Sequence, residues 1–348
     1  MFKLYLERLK KYSGSEYVMS KKRIIAIVLA VIIVLGGIVM SSISTVISSL
    51  FSEDGMSEMD PFTETVESEG DSSKRIVHLT LNGEISEGTG EGLFGSSGYN
   101  HEAFLKQLDK VKKDSSIKGV LLTVNTPGGG TYPSDEIYKK IEEIKQKHKK
   151  VYVHMDAMAA SGGYYISAPA DKIYAGPQST TGSIGVIMSN VDYSGLQEKL
   201  GIKENVIKSG EHKDIMSSSR EMTNEEKDIL QSVLDDSYQR FINIVAEGRD
   251  MPEKKVEKLA DGRIYSAQQA EKNGLIDEIG YNDNALKALK NDIKAKDAEV
   301  FKYSADEGWF SSIYSTKSTL DQFKNELSDL KSIISNDTEA EPMYLYKG

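Results

Sequence analysis

Four short segments hold the residues that could do chemistry. They are "VNTPGGG" at 124–130, "MAASGGYYIS" at 158–167, "TTGSIGV" at 180–186 and "SGEHKD" at 209–214. Paired glycines weaken the interior of a helix or strand. They make sense where backbone must come close to something or an amide must face a ligand. Taken alone, Ser161-Gly162-Gly163 is a turn leading into a helix, and the run at 124–130 is a tight strand–helix turn. In a functional setting, the 124–130 backbone could hold a phosphate or a developing oxyanion at a helix N-terminus. Ser161 falls at a strand-to-helix transition, where its hydroxyl could project as a nucleophile and the Gly162 amide could stabilise an oxyanion.

A serine nucleophile needs a base, usually histidine. None occurs between Ser161 and His212, and His154 lies on the strand leading into Ser161. His212 adjoins Lys213 and would point elsewhere if Lys213 points in. A lysine serves as base when it is neutral, and burial lowers its pKa. Any single lysine is by default a solvated surface group; Lys213 stands out only through its combination with the other three segments. The five histidines show no metal-binding spacing and the chain has no cysteine. Those two facts exclude structural disulfides and a thiol nucleophile, and argue against a metal site.

The elements that must position these groups alternate. "RIVHLTLNGEI" reads as a strand, "HEAFLKQLDKVKKD" as a helix, and "IKGVLLTVN" as a near-continuous apolar strand covered on both faces. "SDEIYKKIEEIKQKH" is an amphipathic helix with Ser134 or Asp135 as its cap, and "KVYVHM" is a further strand. Strands over "DKIYAG", "SIGVIM" and "ENVIKSG" and a helix over "YSGLQEKLG" continue the alternation. A long helix opens on a capping box at Thr223 and Glu226. Two shorter helices, "AEKNGLIDEIG" and a strand over "DAEVFKYS" follow. The order predicts an α/β domain with a largely parallel sheet.

The chain of 348 residues is 39% hydrophobic and 28% charged, with net charge −10. That balance suits a globular domain and argues against a nucleic-acid partner. One segment departs from the average. "IIAIVLAVIIVLGGIVM" at 24–40 shows no polar stripe, and no charge follows until Glu53. Preceded by Lys21, Lys22 and Arg23, it predicts a membrane anchor over 24–51, with residues 1–23 cytoplasmic and the remainder outside. A small-x-small pattern at 42–44 leaves room for cleavage. Met19 opens "MSKKRIIAIV", which reads as a start in its own right, so 1–18 is an extension or an upstream misread of the start codon. Residues 52–73 read as an acidic flexible linker, 74–305 as the extracytoplasmic domain, and 306–348 as a C-terminal helix and an apolar tail, "MYLYKG". Such a tail could enter an active site that prefers apolar segments.

Taken in order from about Lys74 to Gly280, the segments "NTPGGG", "MAASGGYY", "TTGSIGV", "SGEHKDIMSSSREMT" and "DGRIYSAQQAEKNGLIDEIG" resemble the signal peptide peptidase A family, bacterial membrane-bound serine–lysine peptidases. The N-terminal anchor extends the resemblance, in the short form typical of Gram-positive bacteria. The resemblance implies a crotonase-like, Clp-protease-like spiral of β-β-α units. It implies Ser161 as nucleophile, Lys213 as general base, the amides of Gly128 and Gly162 as the oxyanion hole, and Ser183 as the residue orienting the lysine amine. Thr126 and Asp214 are structural on this reading. It further implies hydrolysis of peptide substrates, remnant signal peptides above all, with no metal and no cofactor. The short form implies a ring-shaped homo-octamer at the lipid bilayer, with the Ser-Lys dyad shared between neighbouring protomers. A crotonase-like acyl-CoA enzyme and a catalytically idle membrane scaffold are the alternatives.

Overall fold

Residues 62–87 and 99–305, together with the backbone of 343–345, are described by a computed structural model. The apolar run at 24–51 and the helix expected after Leu320 lie outside the described residues. Among the described residues, no helix is long and apolar enough to cross a membrane.

A parallel sheet is the frame. Strands β2 (Asp71–Asn82), β3 (Ile117–Thr126) and β5 (Lys150–Ala160) run side by side in parallel. Leu79, Leu122 and Val153 are buried on one face of this sheet, and Ile76, Leu121 and Tyr152 on the other. Cover on both faces is why these strands read as near-continuous apolar runs. Helices α1 (His101–Lys113), α2 (Thr131–Lys145) and α3 (Gly162–Ser167) pack into the larger core cluster. Asn100 caps α1, its side chain accepting from the Ala103 N–H at 2.8 Å.

Past its middle, β5 changes partner. Residues 152–155 pair with β6 (Lys172–Ala175), whereas 158–160 pair with β7 (Thr180–Gly182). Strand β7 then pairs with β8 (Ile264–Ser266), and β6 with β9 (Glu278–Ile279). Between β7 and β8 lie α4 (Ser194–Leu200), α5 (Asn224–Gly248) and α6 (Glu253–Leu259). The Thr223–Glu226 capping box forms as the sequence predicts. Phe241 and Tyr165 meet edge-on at 5.0 Å between ring centroids, which joins α5 to α3. Helices α7 (Ala267–Asn273) and α8 (Asn282–Asp292) complete the second half, and α8 contributes Ala285 and Leu289 to the smaller cluster.

Four expectations need correction. Strand structure is already present at Phe62, ahead of Lys74: β1 (Phe62–Ser68) pairs antiparallel with β10 (Ala298–Ala305), which lies parallel to β2. Two of the acidic residues in the expected linker have partners in the fold. Glu64 pairs with Arg75, and Glu67 pairs with His78 at 2.9 Å and Lys302 at 3.3 Å. Second, Gly130 stands at the N-cap of α2 with no side-chain cap, and Ser134 Oγ donates back to the Gly130 carbonyl at 2.7 Å. Third, "ENVIKSG" is an exposed loop; its apolar residues have no neighbouring strand to pair with. Fourth, the strand expected over "SIGVIM" sits earlier, at β7, because Ser183 has a positive φ that ends the extended run.

The apolar tail provides β11 (Met343–Leu345), which pairs antiparallel with β4 (Gly128–Gly130).

Candidate active site

Ser161 sits where β5 stops and α3 starts, with φ 53° and ψ −114°. A non-glycine residue there carries strain of order 1–3 kcal/mol, and the surrounding bonds hold it in place. Its N–H donates to the Gly182 carbonyl at 2.8 Å, and its own carbonyl accepts from the Tyr165 N–H at 2.9 Å. The residue is 1% exposed. The conformation turns a strand directly into a helix, leaving the first amides of α3 without helical acceptors.

The glycines admit the 126–130 backbone to that turn. A Cβ on Gly162 would lie 2.7 Å from Ser134 Oγ and 3.2 Å from both Gly128 Cα and Gly129 N. A Cβ on Gly163 would lie 2.6 Å from Thr126 Cγ2. Gly162 and Gly128 are therefore brought together. On the far side, β4 is held by Ile85, whose N–H donates to Gly128 O and whose carbonyl accepts from Gly130 N–H, both at 2.8 Å. Any side chain at Gly129 would run into the Ile85 carbonyl. Gly128 has φ 109°, and its N–H donates to Thr126 Oγ1 at 3.1 Å. Thr126 thus aims the peptide unit, a role legible only once the turn is folded.

Ser183 joins this group through the β5–β7 ladder, which sets Ala160 opposite Gly182 and leads directly to Ser161 and Ser183. Ser183 is 7% exposed, has φ 51°, and its N–H donates to the Arg263 carbonyl at 2.8 Å.

Lys213 stands apart. No residue within 185–225 is buried, and Lys213 is exposed, with no hydrogen bond or ion pair to its amine among the described residues. The loop around it is held by charge. Arg220 donates through Nε and Nη2 to the two Asp214 carboxylate oxygens, at 3.0 and 2.7 Å. Arg220 Nη1 also reaches Glu226 Oε2 at 2.8 Å. Hydrogen bonds from Arg220 and Lys208 hold the Asp214 carboxyl well below the usual carboxylate range, and Arg220 does the same for Glu226. His212 turns towards Glu225 and Glu226, 3.8 and 3.9 Å away, and not towards Ser161. The sequence shows the Thr223–Glu226 box but gives no signal that its glutamate also holds Arg220.

His154 lies on the face of the sheet that carries Tyr152 and the smaller cluster. It is 5% exposed, both ring nitrogens lack hydrogen-bond partners among the described residues, and burial pushes its pKa down. No cluster of three or more metal-ligating side chains occurs among the described residues.

The site combines a strained serine, glycine backbone packed against it and an outlying lysine. The description of peptidase family S49 matches residues 143–296. A protein described as a signal peptide peptidase SppA in Enterococcus faecium is 48% identical over 250 residues, covering 72% of this chain and 73% of that protein. A protein described as a protease in Methanocaldococcus jannaschii is 43% identical over 218 residues, 63% of this chain and 70% of that protein. Protease 4 of Haemophilus influenzae is 32% identical over 238 residues, 68% of this chain but 38% of that protein. Among solved structures, a mutant ClpP1 from Listeria monocytogenes aligns over 60% of this chain and 94% of its own, with TM-score 0.39 and 20% identity. The acyl-CoA and idle-scaffold alternatives give way to these relationships: the chain belongs to the signal peptide peptidase A family, peptidase family S49, and is a serine peptidase.

Proposed function

We propose that the chain is a membrane-anchored endopeptidase that cuts remnant signal peptides with a Ser161–Lys213 dyad, on a β-β-α spiral fold assembled as a ring of eight. The observation that carries this reading is the division of the site. Ser161 and the glycines beside it are buried, yet no described base lies against them. Lys213 rides on an arm with no buried residue. That arm exposes Val191, Leu196, Leu200, Ile202, Val206 and Ile207. Exposed apolar residues gathered on one segment suit an interaction site, and a neighbouring copy covering the arm would carry Lys213 to the next Ser161. The same contact would desolvate the amine and favour its neutral form.

The chemistry then runs in balanced steps. The peptide lies extended along β4, as β11 does. Ser161 Oγ bonds to the carbonyl carbon as its proton passes to Lys213 Nζ. The Gly162 N–H and the Gly128 N–H, released from Thr126, hold the oxyanion. The Lys213 ammonium returns the proton to the amine as the C–N bond breaks, and Ser183 orients Nζ. Water, activated by the same lysine, releases the acyl group. An anchor over 24–51 places the domain beside its substrates.

Complementation tests the shared site. Ser161→Ala and Lys213→Ala, each inactive, are co-expressed with two affinity tags. In randomly mixed rings about a quarter of the sites regain both groups on closed-ring counting. Tagged mixed rings that stay at background overturn the shared dyad.

A further inference from the structure

We infer that Arg220 is a positioning residue for the base, locking the Lys213 loop to the first turn of α5 through Asp214 and Glu226. The inference rests on Lys213 being the base. It starts from what holds the loop. Lys213 lies in a series of turns: its N–H donates to the Gly210 carbonyl at 3.3 Å, Ile215 N–H to His212 at 3.1 Å, and Ser217 N–H to Asp214 at 3.0 Å. Met216 adds a positive φ of 65°. None of these residues is buried, so apolar packing cannot fix the loop.

Glu226 is the first buried residue after 185–225, at 2% exposure. It is itself fixed by the capping box, accepting from Thr223 N–H at 2.9 Å. Arg220 spans the gap between this fixed carboxylate and Asp214, the residue next to Lys213. Its planar fork takes both Asp214 oxygens, and Nη2 also reaches the Asp214 carbonyl at 3.2 Å. Lys208 Nζ donates to Asp214 Oδ1 and to the Glu211 carbonyl, both at 2.6 Å, closing the loop on its other side. A lysine at 220 keeps the charge but cannot satisfy two carboxylates with fixed geometry. Placement matters because a displacement of about 1 Å in a reacting group can cost on the order of 100-fold in rate.

Charge gives a second readout. The groups facing the loop are Lys208, Glu211, His212, Asp214, Arg220, Glu225 and Glu226. Replacing Arg220 by glutamine removes a cation from this group and leaves two carboxylates less compensated. Both changes favour the protonated amine, so the acid limb of activity moves to higher pH.

The test compares Arg220→Lys, Arg220→Gln, Asp214→Asn and Lys213→Ala in the full chain, measuring kcat, KM, the pH–rate profile, thermal stability and assembly. Expected for both Arg220 variants is a kcat lowered about 10–100-fold and a KM within about threefold; Arg220→Gln, which alone removes the charge, also displaces the acid limb upwards. Asp214→Asn leaves the Arg220–Glu226 pair and the helix cap in place, so it carries the test if the Arg220 variants lose stability. Its expected result is a similar fall in kcat at unchanged stability. An active Lys213→Ala removes the base assignment, and the inference with it. With Lys213 essential, folded variants that keep wild-type kcat, or a folded Arg220→Gln that loses kcat with the acid limb unmoved, overturn the positioning role alone.

Discussion

Gly163→Ala tests the close approach that builds the nucleophile turn. The added Cβ would meet Thr126 Cγ2 at 2.6 Å, with Thr126 O at 3.3 Å and Val124 Cγ1 at 3.7 Å behind it. The first of these is below any ordinary carbon–carbon contact, and Thr126 is 1% exposed. Overpacking of this kind costs about 1–3 kcal/mol, or about 2–12 °C in melting temperature for a domain of this size. The offending atom is one methyl group, so Thr126→Ser should relieve the clash while keeping the oxygen that accepts from Gly128 N–H. Thr126→Ser alone removes one buried methyl and should cost about 1 kcal/mol. The double variant should therefore be more stable than the two single effects predict, by about 1–3 kcal/mol. Turnover of a chromogenic peptide should fall in Gly163→Ala, as the turn is pushed from β4, and recover in the double variant. Chemical denaturation and steady-state kinetics on all four proteins complete the cycle. Strict additivity, or a Gly163→Ala as stable and active as wild type, would refute the contact.

His154 makes stability pH-dependent. Burial lowers its folded pKa below the unfolded value of about 6.5, so the unfolded chain binds the extra proton. Stability is lost as pH falls below about 6.5; His154→Leu should shrink the melting-temperature difference between pH 7.5 and 5, and an unchanged difference counts against this. Ser183→Ala should cost about 10–100-fold in kcat, by analogy with other supporting-shell changes, and less than Ser161→Ala. Wild-type turnover would remove Ser183 from the site. Because β11 lies along β4, removal of 343–348 should raise the rate on short peptides. Mass spectrometry should find a trimmed tail in wild type but not in Ser161→Ala; equally intact C-termini refute trimming.

Local signals in the sequence show their own elements well. The apolar runs of β3 and β5 announce strands covered on both faces, and Thr223 with Glu226 announces the start of α5. Segments whose fate depends on distant partners are less legible. "FTETVES" is acidic and mostly exposed, and becomes a strand because β10 lies open beside it and Arg75, His78 and Lys302 neutralise it. "ENVIKSG" has strand-like residues but no strand to join. Within the site, Ser161 and the glycines are visible because chemistry and backbone geometry both restrict residue type. Ile85 and Thr126 act through a carbonyl and a hydroxyl, which many residue types could supply, so nothing in their identity marks them. Arg220 resembles any surface arginine until the fold places two carboxylates around it.

The start of β1 at Phe62 bears on the reach that an anchored enzyme would have. Phe62 pairs with Ala305 at the C-terminal end of β10, level with the ends of β2 and β3 that lead to β4. The chain thus enters the domain at the same sheet edge that holds Ser161. With residues 62–73 taken up by strands, ten residues, 52–61, remain between the apolar run and the fold. Fully extended they cover at most about 36 Å, where a 22-residue linker would have allowed about 80 Å. On the anchor proposed above, that bound sets a working radius close to the thickness of one small domain. Under the same proposal, proteins folded farther out lie beyond it, and selectivity against mature secreted proteins would follow from distance before any side chain is read.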